Sequence, residues 1–309
     1  MAVNVNDEVD EILKAIIGDS PTRPVSLEQK WHTEIIEKTR IPCDIVLLPK
    51  DNQVAVVERK KSRVVIYDSE GKEARILDSE EIDDLKEPTA LAMMEHRMLI
   101  ADSKMIHFIN ASQWLEDRVW MPKKRAASDI SVIYGMCVSE ANKEVILTDV
   151  SSNPTVTAWD LDQERMKYTL KAPKSRPFKK PNYVAASPEG FTYVSDCEAH
   201  CVYTFDKKGK FVGFLGSKNN KESELIYPTG IDVTQKGEVL VCDPPTGKVA
   251  LFNPKGEYRY PLLDHLDGVI QPVAARFHNG MVAVTEEILE HHKDKNYVRL
   301  FQLKGKKKK

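Results

Sequence analysis

An all-β chain closed into a six-bladed β-propeller of four-stranded antiparallel blades is the fold this sequence predicts, on two observations. The first is a unit. Residues 227 to 263, YPTGIDVTQKGEVLVCDPPTGKVALFNPKGEYRYPLL, read as four short strands separated by turn clusters. Ile231 and Val233 alternate in the first, Val239 to Val241 form a denser apolar strand, Lys248 to Phe252 alternate again, and Tyr258 and Tyr260 mark a more exposed fourth. Gln235-Lys236-Gly237, Pro244-Pro245-Thr246-Gly247 and Asn253-Pro254-Lys255-Gly256 supply the turns, because glycine admits positive φ and proline fixes φ and removes a donor. The second observation is repetition. Asp243, after the second strand, has counterparts at Asp196, Asp149 and Asp102, each 47 residues earlier (243 − 196 = 196 − 149 = 149 − 102 = 47), with Glu58 and Glu286 in the outermost repeats. Pro42, Pro88, Pro181, Pro228 and Pro272 open repeats on the same beat, and Tyr134-Gly135 stands in the third. A lone four-stranded sheet cannot bury both faces, so six units of about 44 to 47 residues pack radially.

In chain order, residues 1–24 read as a helix and a linker. Val9, Ile12, Leu13, Ile16 and Ile17 make one apolar stripe over residues 7 to 17, with Asn6 or Asp7 as cap and Gly18 as stop. Such a stripe packs on the propeller or docks a partner. Residues 25–303 form the propeller. The last repeat supplies PVAARF, GMVAVTE and YVRLFQL but no fourth strand, whereas the segment around Leu27 to Ile35 has no blade of its own. Placing that segment as the outer strand of the last blade leaves no open edge. Residues 304–309 are a lysine-rich tail, either solvated or a nuclear-import signal.

The carboxylate after each second strand accepts backbone N–H groups two residues on, so six of them predict six tight turns rather than six active sites. The repeats also resemble the NHL-repeat family of β-propellers. The resemblance lies in the opening Pro228-Thr229-Gly230-Ile231-Asp232-Val233, in the run from Val194 to Asp206, and in the closing Asp/Asn-x-x-Gly turns at Asp68 to Gly71, Asp206 to Gly209 and Asn253 to Gly256. It covers about residues 26 to 303, with repeats four and five matching well and the others degenerate. It implies a binding surface. In several relatives a basic face grips single-stranded RNA, and in others the propeller holds protein partners. In some the propeller follows a RING, B-boxes and a coiled coil; with five cysteines and no upstream zinc module, this chain is expected to carry no ligase activity.

Net charge is −2, from 45 cations and 47 anions, so nucleic-acid binding would require local segregation of charge. The loops after strand two and those joining successive blades share one face of a propeller. Arg59, Lys60, Lys61 and Arg63 follow strand two of blade one. Lys123, Lys124 and Arg125 join blades two and three, and Lys171, Lys174, Arg176, Lys179 and Lys180 join blades three and four with no acid among residues 171 to 180. The joint at 78 to 87 holds six acids against Lys86. The face is thus expected to be electrically divided, its basic sector serving either as solvated loops or as the site for single-stranded RNA or an acidic protein partner. Phe178, with Trp120 and Tyr134 nearby, is a candidate for base stacking, against the alternative of packing at a blade edge.

Metal and enzyme chemistry find little support. Cys197, His200 and Cys201 lack the second half of a zinc finger, and the histidines at 32, 96, 107 and 278 occupy unequal repeat positions. No nucleophile elbow or phosphate-cradling glycine loop occurs, so neither cofactor nor metal is expected. Five widely spaced cysteines point to a reducing cytoplasm, with Cys43, Cys137 and Cys242 as buried apolar groups. No signal peptide or membrane span is read. Ser128, after Lys123 to Arg125, is a candidate phosphorylation site.

Overall fold

The computed structural model describes residues 25–35, 42–49, 52–122, 132–215, 224–288 and 295–304. The expected helix at 7–17, Lys123 to Arg125, Ser128 and residues 305–309 lie outside them. Six four-stranded antiparallel sheets form the blades. Blade one is β2 (Pro42–Leu47), β3 (Val54–Glu58), β4 (Arg63–Tyr67) and β5 (Glu73–Leu77). Blade two is β6 (Ala90–Met94), β7 (Arg97–Ala101), β8 (Ile106–Asn110) and β9 (Leu115–Trp120). Blade three is β10 (Ile133–Ser139), β11 (Glu144–Asp149), β12 (Thr155–Asp160) and β13 (Arg165–Leu170). Blade four is β14 (Pro181–Ala186), β15 (Thr192–Asp196), β16 (Cys201–Phe205) and β17 (Phe211–Phe214). Blade five is β18 (Ile231–Val233), β19 (Val239–Asp243), β20 (Lys248–Phe252) and β21 (Tyr258–Leu263).

Blade six joins the two ends of the chain. Its order is β22 (Pro272–His278), β23 (Met281–Ile288), β24 (Lys295–Lys304), β1 (Ser26–Ile35), and the register runs from Ser26 opposite Lys304 to Ile35 opposite Asn296. The repeat that lacked a fourth strand therefore takes it from the first segment. β1 also grips blade one. Thr33 Oγ1 donates to Gly71 O at 2.6 Å, and Trp31 lies 6.1 Å from the Tyr67 ring. Gly71 has φ 81°, and a Cβ there would sit 2.7 Å from the Trp31 ring, so conformation and space both require glycine.

The burial pattern follows from stacking. Second strands are covered by blades on both sides, so β3, β11, β15 and β19 are buried throughout. Outer strands splay at the rim, so β9 alternates exposed and half-buried residues until Trp120. Neighbouring blades are also stitched by polar groups: Thr89 Oγ1 donates to Ile133 O, Thr148 Oγ1 to Asn182 O, Ser195 Oγ to Thr229 O and Thr229 Oγ1 to Val273 O, at 2.6 to 3.1 Å. Gly230 allows this approach, since a Cβ there would lie 2.5 Å from Ala274 Cα.

The closing turns behave as expected, with Asp68, Asp206 and Asn253 each accepting two backbone N–H groups. The degenerate repeats keep the acceptor without the glycine. Asn110 and Asp160 accept likewise, while Trp114 and Glu164 take the positive φ.

The carboxylates after strand two are more varied than a uniform turn. Asp102 and Asp149 accept N–H groups two residues on. Asp196 accepts from Ala199 N three residues on and also reaches back to the N–H groups of Lys179 and Lys180, while Asp243 reaches back to those of Ile226 and Tyr227, and Glu286 to that of Ile270. These joints pass beside the strand end, and their amides need an acceptor there. In three blades the acid also meets a base from strand three: Glu58 with Arg63, Asp102 with His107, and Glu286 with Arg299.

His107 is buried between Asp102 and Glu116. Burial disfavours its charge, but the two carboxylates outweigh that and raise its pKa. A raised histidine pKa contributes stability that is fully present below the unfolded value and is lost as pH rises through the folded one. Thermal unfolding is therefore expected to weaken above neutrality by a component that His107→Gln lacks. Parallel pH profiles of the two proteins would refute this.

Candidate functional site: the face of the blade joints

The register places the strand-two carboxylates, the inter-blade joints and the starts of the inner strands on one face, here the upper face. Where the inner strands converge, a cavity of about 330 Å³ opens around the axis, lined by Pro42, Cys43, Arg59, Lys60, Glu87, Tyr134, Tyr183, Val273 and Glu287. Arg59 lies over the Tyr134 ring at 5.7 Å and 3.6 Å from Glu87. Burial pushes the Tyr134 hydroxyl up to about 12 and the Cys43 thiol likewise to about 12, so neither is an acid or nucleophile at neutral pH. Cys242 is buried as expected, whereas Cys43 and Cys137 are half-buried, because each lines an axial cavity.

The predicted basic residues divide by what holds them. Lys60, Lys61, Lys171, Lys174 and Lys179 are exposed on the face. Arg63 turns inward to Glu58 at 2.7 Å, and Arg176 donates to Ala199 O at 2.6 Å and stacks 5.1 Å from Phe214. Both brace the fold. Lys180 sits 3.6 Å from Glu198. Phe178 is half-buried and packs edge-to-face on Tyr203 at 4.9 Å and near Phe205 at 6.1 Å, so much of its ring already has partners. Trp120 is buried against Trp159. Of these three predicted aromatics, Tyr134 opens on the axial cavity, beside Tyr183.

Sequence reasoning missed a charged cluster in the channel below. Asp44 of β2 is fully buried and accepts from Arg276 of β22 at 2.9 Å, from Ile45 N and from Leu91 N of the next blade. Arg276 also donates to Ile231 O, and Asp232 of β18 accepts from Phe277 N. Burial raises the pKa of both aspartates, against the pull of Arg276. Arg276 and Asp232 reach a lower cavity of about 180 Å³ with apolar walls including Met93, Val138 and Phe277. Among the described residues, no group of three His, Cys, Asp or Glu could hold a metal ion, and no helix is long and apolar enough to cross a membrane.

No family model matches the chain. Over 83 residues it is 29% identical to "Protein brain tumor" of Drosophila melanogaster, a stretch covering 26% of this chain and 8% of that protein. The chain thus matches a small part of that relative. The six-bladed architecture and this similarity are consistent with an NHL-type propeller and support a binding module in general.

Proposed function

We propose that the protein is a non-catalytic binding module whose basic upper sector holds single-stranded RNA. The carrying observation is the joint 171–180, five cations without an acid, in which Asp196 fixes the backbone while Lys171, Lys174 and Lys179 remain exposed. Lysines on a fixed backbone track phosphates without ordering a loop on binding, and Lys60 and Lys61 extend the positive potential from blade one. Five cysteines, none of them in a disulfide, support a reducing cytoplasm as the place of work.

The test uses K171E/K174E/K179E, which spares the structural Arg176 and Lys180. Filter binding of a labelled random-sequence RNA pool at two salt concentrations is expected to show binding by the wild type. In the variant, the slope of log affinity against log salt should fall by about 0.7 for each phosphate that is no longer neutralised. Absence of wild-type retention at low salt, or equal binding by the variant, would overturn the RNA reading in favour of a protein scaffold.

A further inference from the structure

The upper face changes character over blades five and six. Residues 225 to 230 and 244 to 247 carry no charged side chain, in a chain that is 30% charged. Ile226, Leu266 and Ile270 stand 51%, 80% and 48% exposed, and Pro245 is exposed between them. Ile226 and Ile270 both adjoin the turn at 244–247, and Leu266 stands in the same joint as Ile270. Ile226 N donates to Asp243 at the start of the Pro244–Thr246 turn, and a Cβ on Gly247 at its end would sit 2.9 Å from Ile270 O. The ridge also continues into the basic joint. Arg176 donates to the carbonyls of Ala199 and His200, and the His200 ring bonds Ile226 O. One arc thus runs from the five cations of the 171–180 joint to apolar side chains at Ile226, Leu266 and Ile270, with Asp264 and Asp267 flanking Leu266.

A complementary segment exists in this chain. Residues 7 to 17, DEVDEILKAII, hold four acids and one lysine beside the apolar residues Val9, Ile12, Leu13, Ile16 and Ile17. The acids are clustered at the N-terminal end and the apolar residues extend to the other, matching the two ends of the arc. On its own propeller the segment reaches the arc only with its linker fully stretched. Ser26 pairs with Lys304 at the lower end of blade six, and the ten residues of β1 rise about 33 Å to the upper face. From Ser26, Ile17 is nine residues away, at most about 32 Å fully extended, so the linker would have to run straight up blade six, a stretch that the arc of a second copy does not impose.

We propose that residues 7–17 of one copy dock on the upper arc of a second copy, acids on Lys171, Lys174 and Lys179 and apolar residues on Ile226, Leu266 and Ile270. The contact is head-to-tail, so it extends into chains or closes into a ring. It occupies the lysines assigned above to RNA, but it stands whether or not RNA binds.

Fluorescence anisotropy of a labelled synthetic peptide of residues 1–24, titrated with the full-length protein, tests the contact. The peptide is expected to bind, and the exposed-site variant I226D/L266D/I270D should weaken it about tenfold or more, as does K171E/K174E/K179E. Binding of the RNA pool to the ridge variant should stay within about twofold of wild type, which separates the two sites. A peptide carrying I12D/I16D should not bind. Full-length protein should sediment with concentration-dependent mass, and the same change in the chain should abolish this. Thermal unfolding of the ridge variant close to wild type excludes misfolding as the cause. A peptide that fails to bind, or binds the ridge variant as well as wild type, overturns the proposal, as does a chain monomeric at every concentration.

Discussion

Deletion of residues 1–36 is expected to abolish cooperative unfolding and yield an aggregating protein, whereas deletion of residues 1–20 leaves the melting temperature nearly unchanged. The longer deletion removes β1, and with it Val25, Trp31 and Ile35, which are 6%, 8% and 1% exposed. Burying each contributes about 1.5–3 kcal/mol, together roughly 4.5–9 kcal/mol. That approaches the whole stability of an ordinary domain, about 5–15 kcal/mol. The deletion also bares the edge of β24, a row of unpaired backbone groups that recruits other chains. Calorimetry of the two truncations decides the matter, and equal melting temperatures would show that β1 does not close the ring.

Replacing Arg276 by methionine is expected to cost about 3–5 kcal/mol, because it leaves Asp44 and Asp232 in the channel without their cation. The sign of its pH dependence is the sharper test. Burial already raises both carboxyl pKa values in the folded protein, and loss of the guanidinium raises them further. An acid with a raised folded pKa takes up its proton more readily when folded, so its penalty is relieved as pH falls through that value. The deficit of R276M relative to wild type should therefore shrink on acidification from neutral pH, read by urea unfolding at each pH. A deficit that is constant or grows would mean that lost packing, not unpaired charge, is responsible.

Residues acting through local geometry were legible in the sequence. Asp102, Asp149, Asp196 and Asp243 recur at 47 residues because the same strand end recurs, and β1 was found from a missing strand in one repeat and a surplus segment elsewhere. Contacts set by how blades meet were not. Asp44 and Arg276 lie 232 residues apart in otherwise apolar strands, and no periodicity links an acid in one blade to a base in another. The same blindness inflated the basic sector. Arg63 and Arg176 count as surface charge in a linear reading, yet each turns to a partner that only folding supplies. Phe178 looked available because Tyr203, its ring partner, is 25 positions away (203 − 178). The apolar ridge escaped notice because Ile226, Leu266 and Ile270 come from two separate joints, each unremarkable alone.

The pairing of Ser26 with Lys304 and Ile35 with Asn296 sets the timetable of biosynthesis. The first strand of the propeller to be made is the last to find its neighbour, since 260 residues (295 − 35) separate the end of β1 from the start of β24. At about 5–20 residues per second, that interval is about 13–52 s. Five blades can form in succession meanwhile, each from strands adjacent in sequence, while Trp31 and Ile35 stay in water beside nascent edges. A propeller joined in this way is a ring whose clasp is made first and fastened last, and its vulnerable period in the cell is the duration of its own translation.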